Sequence, residues 1–188
     1  MKNIHYKKIF WAIRALYYKP FLKKIEFPSY IGKPTFIEGF GRITIGKKNR
    51  IFPGVRIESK KSGEVEFGEN VYIGQNVHIT SEDSKLLIKD GSAIMANVCI
   101  TNIDHNYEDV SLPVHEQGYS TKKTIIGSNC FIGHGAVIQA GVILGDHCIV
   151  GANSVVCRGS YESYSVLVGS PATLKRKFDF NKEVWESF

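Results

Sequence analysis

The sequence repeats itself in blocks of six residues. Eleven such blocks begin with an aliphatic or aromatic residue, and six of them follow one another without a break from residue 126. The block starts are Ile51, Phe67, Ile73, Ile88, Ile94, Ile126, Ile132, Ile138, Leu144, Val150 and Val156. Repeats of a fixed period are the sequence signature of solenoids, in which each coil packs only on its neighbours.

The fourth residue of every block is Gly, Asn or His. These positions are Gly54, Asn70, Asn76, Gly91, Asn97, Asn129, Gly135, Gly141, His147, Asn153 and Gly159. Ten of the eleven are Gly or Asn, although these two types supply only 28 of the 188 residues. Because Gly, Asn and His tolerate a positive φ better than most residues, the fourth position predicts a corner of the chain.

The fifth residue of each block is small or β-branched. It lies two residues before the next block start, so both side chains point to the same side of a strand. In Val71-Tyr72-Ile73, for example, Val71 and Ile73 face inward and Tyr72 faces outward. A short strand followed by a corner, repeated, winds into a solenoid whose coils pair in parallel about 4.8 Å apart. Cys130 and Cys148 hold the inward fifth position and are predicted to fill the core.

This register is similar to that of the hexapeptide-repeat acyltransferases, and within them to the maltose/galactoside acetyltransferase-like group and the polysaccharide O-acetyltransferases. The resemblance implies an all-β fold, a left-handed parallel β-helix with three strands per coil, and the handedness rests on the resemblance alone. The chain then divides into a basic amphipathic N-terminal helix over 1–25, a β-helix domain over 30–160 and a C-terminal capping segment over 161–188.

The positive net charge of the chain, +6, is confined to its N-terminus. Residues 1–24 hold seven Lys or Arg and no acidic residue, so the rest of the chain carries a net charge of −1. A neutral body gives no reason to expect a nucleic-acid partner. The four cysteines form no CxxC pair, which excludes a zinc ribbon or a thioredoxin-type motif, and no apolar run approaches the ~20 residues of a membrane span.

The basic N-terminal segment predicts a helix. Ile9, Ile13 and Leu16 recur at helical spacing, and Pro20 ends the pattern. Two interpretations stay open. In one, these three side chains cover the open strand edge of the first coil. In the other, residues 1–24 contact an anionic membrane and hold a cytoplasmic enzyme at the inner membrane surface.

The register breaks between Ile100 and Ile126, which are 26 residues apart and therefore not a multiple of six. The chain must extrude a loop over 103–124, and loops on a rigid scaffold are frequent sites of chemistry. His105 lies where this loop leaves the coil. Acyl transfer from a thioester to a hydroxyl needs a general base that works near neutral pH, which an imidazole can provide.

The loop also resembles the active-site loop of the family, and His105 matches the catalytic histidine. Many relatives read Asp-His-Asn-His there, whereas this chain reads Asn102-Ile103-Asp104-His105, which keeps the last histidine and loses the first. By the same resemblance, the backbone N–H of His134 holds the oxyanion. Further contacts with the acceptor, or roles within the loop, are expected for His78, Asn97, Asp104, Glu116 and Gln117.

The segment 168–172 resembles the closing GxPA motif of the family, after which a basic residue approaches coenzyme A. Here Thr173 stands where relatives often carry Arg or Lys. The resemblance assigns coenzyme A contacts to Ala152, Cys157, Arg158, Lys175 and Arg176. It implies acetyl-CoA as co-substrate, no metal, and a homotrimer that shares three sites between neighbouring subunits.

The leading functional hypothesis is an acetyl-CoA-dependent O-acetyltransferase that acts on a sugar or glycan precursor by direct transfer. The first alternative is an N-acyltransferase acting on an amino sugar or nucleotide sugar. A second alternative, of another class, is a non-catalytic β-helix assembly or sugar-binding protein. The γ-type carbonic anhydrases share this fold but need three convergent histidines, two of them five residues apart, and no histidine pair here has that spacing.

Overall fold

The structure, a computed structural model, describes residues 3–187. It is a parallel β-helix of about seven coils, preceded by one α-helix, α1 (Asn3–Tyr18). Each complete coil contributes one strand to each of three sheets. This all-β solenoid, with a short helix and an extruded loop, confirms the fold class predicted from the repeat. The left-handed sense of the coil stays an expectation from the family resemblance.

Three parallel sheets form the faces of the β-helix. The seven-stranded sheet follows the order β1 (Lys24–Ile25), β4 (Ile43–Ile45), β7 (Glu64–Phe67), β10 (Lys85–Ile88), β15 (Thr124–Ile126), β18 (Val142–Leu144) and β21 (Gly159–Tyr161). The six-stranded sheet contains β3 (Phe36–Glu38), β6 (Arg56–Lys60), β9 (His78–Glu82), β12 (Cys99–Thr101), β17 (Val137–Ile138) and β20 (Val155–Val156). The nine-stranded sheet contains β2 (Tyr30–Ile31), β5 (Arg50–Ile51), β8 (Tyr72–Ile73), β11 (Ala93–Ile94), β16 (Phe131–Ile132), β19 (Ile149–Val150), β22 (Ser165–Gly169), β23 (Ala172–Asp179) and β24 (Val184–Ser187).

The extruded loop is built on a two-stranded antiparallel hairpin, which we call the loop hairpin. Its strands are β13 (Ile103–His105) and β14 (Tyr119–Thr121). A 3-10 turn at Val114–Glu116 lies between them, and a second 3-10 turn spans Phe40–Arg42.

The core is a single column of inward side chains along the axis of the β-helix. All eleven block starts are buried, with exposed fractions of 0–1%. Parallel pairing places the first residues of successive blocks next to one another. Ile73, for example, lies between Ile51 of β5 and Ile94 of β11. Cys130 and Cys148 are buried in this column, as predicted. Burial of apolar surface is worth about 25 cal/mol per Å², so this column is the main source of stability.

The corners have the predicted backbone geometry. The fourth residue of ten blocks lies in the left-handed region, with φ between 54° and 84°, and in the last block Gly159 has a φ of 153°. The fifth residue is buried in ten blocks, and the exception is Ser160. In β21 the ring of Tyr161 packs against the core, so Ser160, its neighbour in the strand, points to solvent.

The β-helix extends beyond the predicted 30–160 at both ends. β1 pairs in parallel with β4, so the first coil begins at Lys24. β22 pairs in parallel with β19, so the coil continues to Gly169, and the chain folds back as β23 and β24 only from Ala172. β1 and β22 both lie outside the regular six-residue blocks, and β1 buries only Ile25. The sequence at these two ends therefore has no repeat that would predict a strand.

α1 covers the open end of the first coil, but with a different face from the predicted one. Trp11 packs its ring against Tyr30 at 5.7 Å and Phe52 at 5.3 Å between centroids, Ala15 is fully buried, and Tyr18 packs against the core. Wide aromatic rings bury more surface across the coil end than aliphatic side chains would. The expected capping residues are each 56% exposed: Ile9, Ile13 and Leu16. Within residues 3–187, no helix is both long and apolar enough to cross a bilayer.

The variant Gly54→Ala tests the corner geometry. Gly54 has a φ of 84°, and a Cβ built on it would lie 2.1 Å from Oδ1 of Asn76 in the next coil. We expect the free energy of unfolding to fall by about 1–3 kcal/mol, because a residue with a Cβ is strained in the left-handed region and would displace the Asn76 amide. Denaturant unfolding followed by circular dichroism measures the change.

The matched control is Gly41→Ala, because no atom lies within 4 Å of a Cβ built on Gly41. We expect it to change stability by less than about 0.5 kcal/mol. Equal losses in the two variants would show that the corner does not require glycine.

Candidate active site

The loop hairpin is anchored to the coil by the buried amide of Asn102. Its Oδ1 accepts the backbone N–H of Glu82 at 2.8 Å, and its Nδ2 donates to the hydroxyls of Ser84 at 2.8 Å and Ser81 at 3.1 Å. Its backbone oxygen accepts the N–H of Lys122 at 2.8 Å, which closes the base of the hairpin. In the sequence, Asn102 stands where many relatives carry the aspartate of Asp-His-Asn-His, and nothing there indicates this anchoring role.

Thr124, the first residue of β15, fixes the chain to the coil where it returns from the loop. Its hydroxyl donates to the backbone oxygen of Thr101 at 3.0 Å and accepts the backbone N–H of Gly141 at 3.1 Å. The two ends of the hairpin are therefore fixed to consecutive coils, so the strands that project from them start from a rigid base.

His105 lies on β13, two residue pairs beyond the base of the hairpin, opposite Tyr119 of β14. The two rings meet edge to face, with centroids 4.5 Å apart and an interplanar angle of 62°. The His105 side chain is exposed, so the imidazole is held by one ring and remains open to a second molecule. Asp104, paired with Ser120, is also exposed.

Gln117 holds the loop together and does not reach outward. Its Oε1 accepts the backbone N–H of Asp109 at 3.0 Å, and its Nε2 donates to the backbone oxygens of Asp109 at 2.8 Å and Leu112 at 2.9 Å. Both ends of the amide are engaged within the loop, which favours a structural role over acceptor binding. Glu116 is exposed, with a carboxylate oxygen 3.7 Å from Nε2 of His115.

A second group of expected site residues lies at the corner between the nine-stranded and six-stranded sheets. Nδ2 of Asn97 is 3.3 Å from Nε2 of His134, in the next coil. Within residues 3–187 the backbone N–H of His134 donates to no acceptor, as an oxyanion donor requires. Ala152 follows in the coil after that, so close that its nitrogen lies 2.6 Å from the point where a Cβ on Gly133 would be.

Arg158 lies on the opposite edge of the six-stranded sheet, next to the hairpin. The side chains of Arg158 and Lys122 both border Gly141, with Arg158 Cγ 3.1 Å and Lys122 Cβ 3.3 Å from where its Cβ would lie. Cys157 is half-buried, and its backbone oxygen accepts the hydroxyl of Tyr161 at 2.8 Å. Lys122, which the sequence analysis did not single out, thus adds a cation to this edge.

Lys175 and Arg176 lie on β23, which folds back antiparallel on β22 and also contacts β20. Both side chains are exposed. The structure therefore distributes the expected site residues over two corners and the C-terminal hairpin. Among the described residues, no group of three His, Cys, Asp or Glu side chains is placed to hold a metal ion.

A buried carboxylate on the six-stranded sheet escaped the sequence analysis. Glu58 is 4% exposed and accepts hydrogen bonds from Arg56, from Lys60 at 2.9 Å and from Nε2 of His78 at 3.1 Å. Burial tends to raise the pKa of Glu58, but these three donors outweigh it and lower the pKa to about 2. The carboxylate is therefore ionised near neutral pH and fixes the His78 imidazole, whose Nε2 also lies 3.1 Å from the hydroxyl of Thr80.

This cluster adjoins the hairpin. The hydrogen bond to Glu58 is the main cause that raises the pKa of Lys60, and Tyr119 on β14 adds to the effect. Tyr119, which supports the His105 ring, is thus a neighbour of the Glu58 cluster. His78, expected at the acceptor site, lies within this polar surface beside the hairpin.

The variant Glu58→Gln tests the electrostatics of the cluster. The folded-state pKa lies below the ordinary value of 4.5, so the stability from ionised Glu58 is fully present above pH 4.5 and is lost as the pH falls toward 2. We expect the variant to be less stable than the native chain by on the order of 2 kcal/mol at pH 7, with the gap closing below pH 4.5. Denaturant midpoints across this pH range measure it.

The matched control is Glu69→Gln, because Glu69 is an exposed glutamate at the corner between the seven-stranded and nine-stranded sheets, away from the six-stranded sheet that carries Glu58. Its stability should follow that of the native chain at every pH. A gap for Glu58→Gln that stays constant down to pH 2 would contradict the assigned ion pairs.

Comparison with known proteins gives the family. Residues 123–158 match the bacterial transferase hexapeptide family (six repeats). The "Putative lipopolysaccharide biosynthesis O-acetyl transferase WbbJ" of Escherichia coli is 30% identical over 162 residues, which is 81% of each chain.

Solved structures share the fold. A variant of AntD, an N-acyltransferase from Bacillus cereus crystallised with dTDP and coenzyme A, superposes with a TM-score of 0.77 at 19% identity over 90% of this chain and 91% of that one. The polySia specific acetyltransferase NeuO superposes with a TM-score of 0.67 at 21% identity over 79% and 68%. The coil, its corners and its extruded hairpin, together with 30% identity to WbbJ along four fifths of both chains, show that this chain belongs to the hexapeptide-repeat acyltransferases.

Proposed function

We propose that the chain is an acetyl-CoA-dependent O-acetyltransferase that acylates a hydroxyl of a sugar or glycan, with His105 as general base. The observation that carries the proposal is the exposed His105 imidazole, held edge to face by Tyr119 on a hairpin anchored through buried Asn102. A base presented in this way needs only a hydroxyl and a thioester to act. The similarity to WbbJ, named for O-acetyl transfer in lipopolysaccharide biosynthesis, supports the choice of acceptor class.

The mechanism is direct transfer. His105 accepts the proton of the acceptor hydroxyl as that oxygen attacks the carbonyl carbon of the thioester. The backbone N–H of His134 stabilises the negative oxygen of the tetrahedral intermediate. When the carbon–sulfur bond breaks, protonated His105 returns the proton to the departing sulfur, so no acyl-enzyme forms.

The donor is expected to bind along exposed cations and small residues near the last coils. Arg158 and Lys122 form one cationic edge, and Lys175 and Arg176 lie on the hairpin that contacts β20. Such side chains suit the phosphates of coenzyme A through charge-assisted hydrogen bonds. Ala152, exposed beside His134, leaves room for the pantetheine arm. AntD, with the same fold, binds coenzyme A.

The acceptor is expected to bind on the Glu58 cluster. His78 and Arg56 expose part of their side chains there, and the ionised Glu58 orients both. Sugars present many hydroxyls, which a rigid row of donors and acceptors can recognise. An N-acyltransferase remains the alternative, since AntD is one, and the acceptor panel below separates amines from hydroxyls. The expected place of action is the cytoplasm, at the inner membrane surface where lipid-linked glycan precursors are built.

The site is proposed to form between subunits of a homotrimer. Asn97 and Asn102 mark the two edges of the six-stranded sheet, and five residues of extended chain put them about 16 Å apart. His134 belongs to the first edge and the hairpin of His105 leaves from the second. One chain therefore holds the base and the oxyanion donor on opposite edges, and a neighbouring copy can bring them together.

The variant His105→Ala tests the base. We expect it to fold normally and to lose a factor of about 10²–10⁴ in turnover, measured as acetyl transfer from acetyl-CoA to a panel of glycans and amino sugars. His115→Ala is the matched control, because His115 is an exposed histidine of the same loop. If the two variants keep equal turnover, His105 is not the base, and transfer only to amines would favour the N-acyltransferase.

Subunit mixing tests the shared site. His105→Ala removes the base from one edge, and Ala152→Glu blocks the other edge, so each variant alone should be inactive. When the two variants are co-expressed one to one, the mixed trimers should regain about a quarter of the native activity. A site is intact only where the Ala152→Glu subunit supplies His105 and its His105→Ala neighbour supplies Ala152, which holds for a quarter of the sites if the subunits mix at random. Light scattering should show a trimer throughout. A monomer that is fully active, or no recovery on mixing, would contradict the arrangement.

A further inference from the structure

α1 carries a second apolar face that is left exposed by the residues the structure describes, 3–187. Its members are each 56–67% exposed, and they are Ile9, Phe10, Ile13, Leu16 and Tyr17. At about 100° per residue they fill one continuous sector of the helix, nearly opposite the sector of Trp11, Ala15 and Tyr18 that packs on the first coil. Phe21, 52% exposed, extends this sector beyond the helix end. We call it the open face of α1.

Contiguous exposed apolar side chains mark a binding surface, because leaving them in water is costly. The open face does not support the coil, since the coil end is already covered by the opposite face. Covering the coil end therefore does not explain why these exposed residues are apolar.

The charge around the open face selects the partner. Residues 1–24 hold seven bases and no acid. The coil neutralises two of them, because Lys23 pairs with Glu64 and Lys24 with Glu26. Lys8 lies beside the covered sector, with its ammonium 5.8 Å from the centre of the Tyr30 ring, and Lys19 is exposed just beyond the helix end. The segment keeps a strong excess of positive charge. An apolar sector with aromatic rings, carried by a segment with excess positive charge, fits the boundary between anionic headgroups and acyl chains.

We infer that the open face of α1 docks on an anionic lipid bilayer, with the helix in the plane of the interface. The β-helix then stands on the membrane by its N-terminal coil. The hairpin leaves the six-stranded sheet after β12, three strand spacings from the first strand β3, or about 14 Å along the axis. Adding the width of α1, about 10 Å, puts the base of the loop roughly 25 Å above the open face, within reach of an acceptor attached to a lipid through several sugar units. This inference does not depend on the identity of the catalytic base.

Vesicle flotation tests the docking surface. The full chain should float with vesicles of equimolar phosphatidylglycerol and phosphatidylcholine, and not with phosphatidylcholine alone. Raised salt should weaken the binding, because exposed charges are screened. Equal recovery with both vesicle types at low and high salt would overturn the proposal without any variant.

The variant Ile13→Glu places a charge in the centre of the open face. We expect its partition onto anionic vesicles to fall by at least about tenfold, because a buried aliphatic contact is lost and a negative charge is added. Val184→Glu adds the same charge on β24, at the other end of the solenoid, at a residue that is 48% exposed, and it should bind like the native chain. Equal binding of the two variants would overturn the proposal.

The oligomeric state distinguishes a membrane from a second copy of the chain. Ile13→Glu should keep the mass of the native assembly in light scattering while it loses vesicle binding. If it changes the mass of the assembly, and the native chain does not float, the open face is a contact between subunits and the membrane assignment is wrong.

Discussion

The whole architecture depends on corners in which the backbone turns with a positive φ every six residues. At ten of these corners, Gly, Asn or His adopts the left-handed region. Each turn lets the next strand return one large side chain to the same axial column, so block starts such as Ile73 and Ile94 stack in register. The stacked side chains supply the buried apolar surface. The corners arrange these side chains along the axis of the solenoid. The outward side chains of the three sheets are not needed for the core and are free to bind ligands.

Those outer faces explain why the proposed site needs more than one chain. A solenoid is narrow, and its functional side chains lie on edges separated by the length of a strand. His134 and Asn97 share one edge, whereas the hairpin and Arg158 share the other. A flat face offers no deep cleft by itself, and packing of a second copy against it would supply the missing wall.

Much of the fold could be predicted because its signals are local and periodic. The corners, the inward cysteines and the extruded loop all follow from the register. The first and last coils could not, since β1 and β22 lie outside regular blocks. A helical pattern shows apolar residues but does not say which of two apolar faces is covered, so it cannot distinguish Ile9 from Trp11 as a capping side chain.

The site residues divide in the same way. The break in the register points to His105, and the family resemblance alone points to His134 and Arg158. The roles of Gln117 and Glu58 follow instead from their hydrogen bonds in the folded chain. From the sequence alone, Glu58 at an outward strand position is predicted to be an ordinary surface charge. Only the folded chain shows that Arg56, Lys60 and His78 converge on it.

The attachment of the hairpin has a consequence for how such enzymes diversify. The bonds from Lys122 to Asn102 and from Thr124 to Thr101 close the insertion at its base, so the coils above and below pair as if it were absent. Residues beyond that base can be exchanged, lengthened or shortened as a cassette. Loop-closure entropy grows slowly, by about 0.6 kcal/mol for each doubling of length. Contacts that the insertion makes with a ligand can therefore change while the solenoid and its stability stay the same.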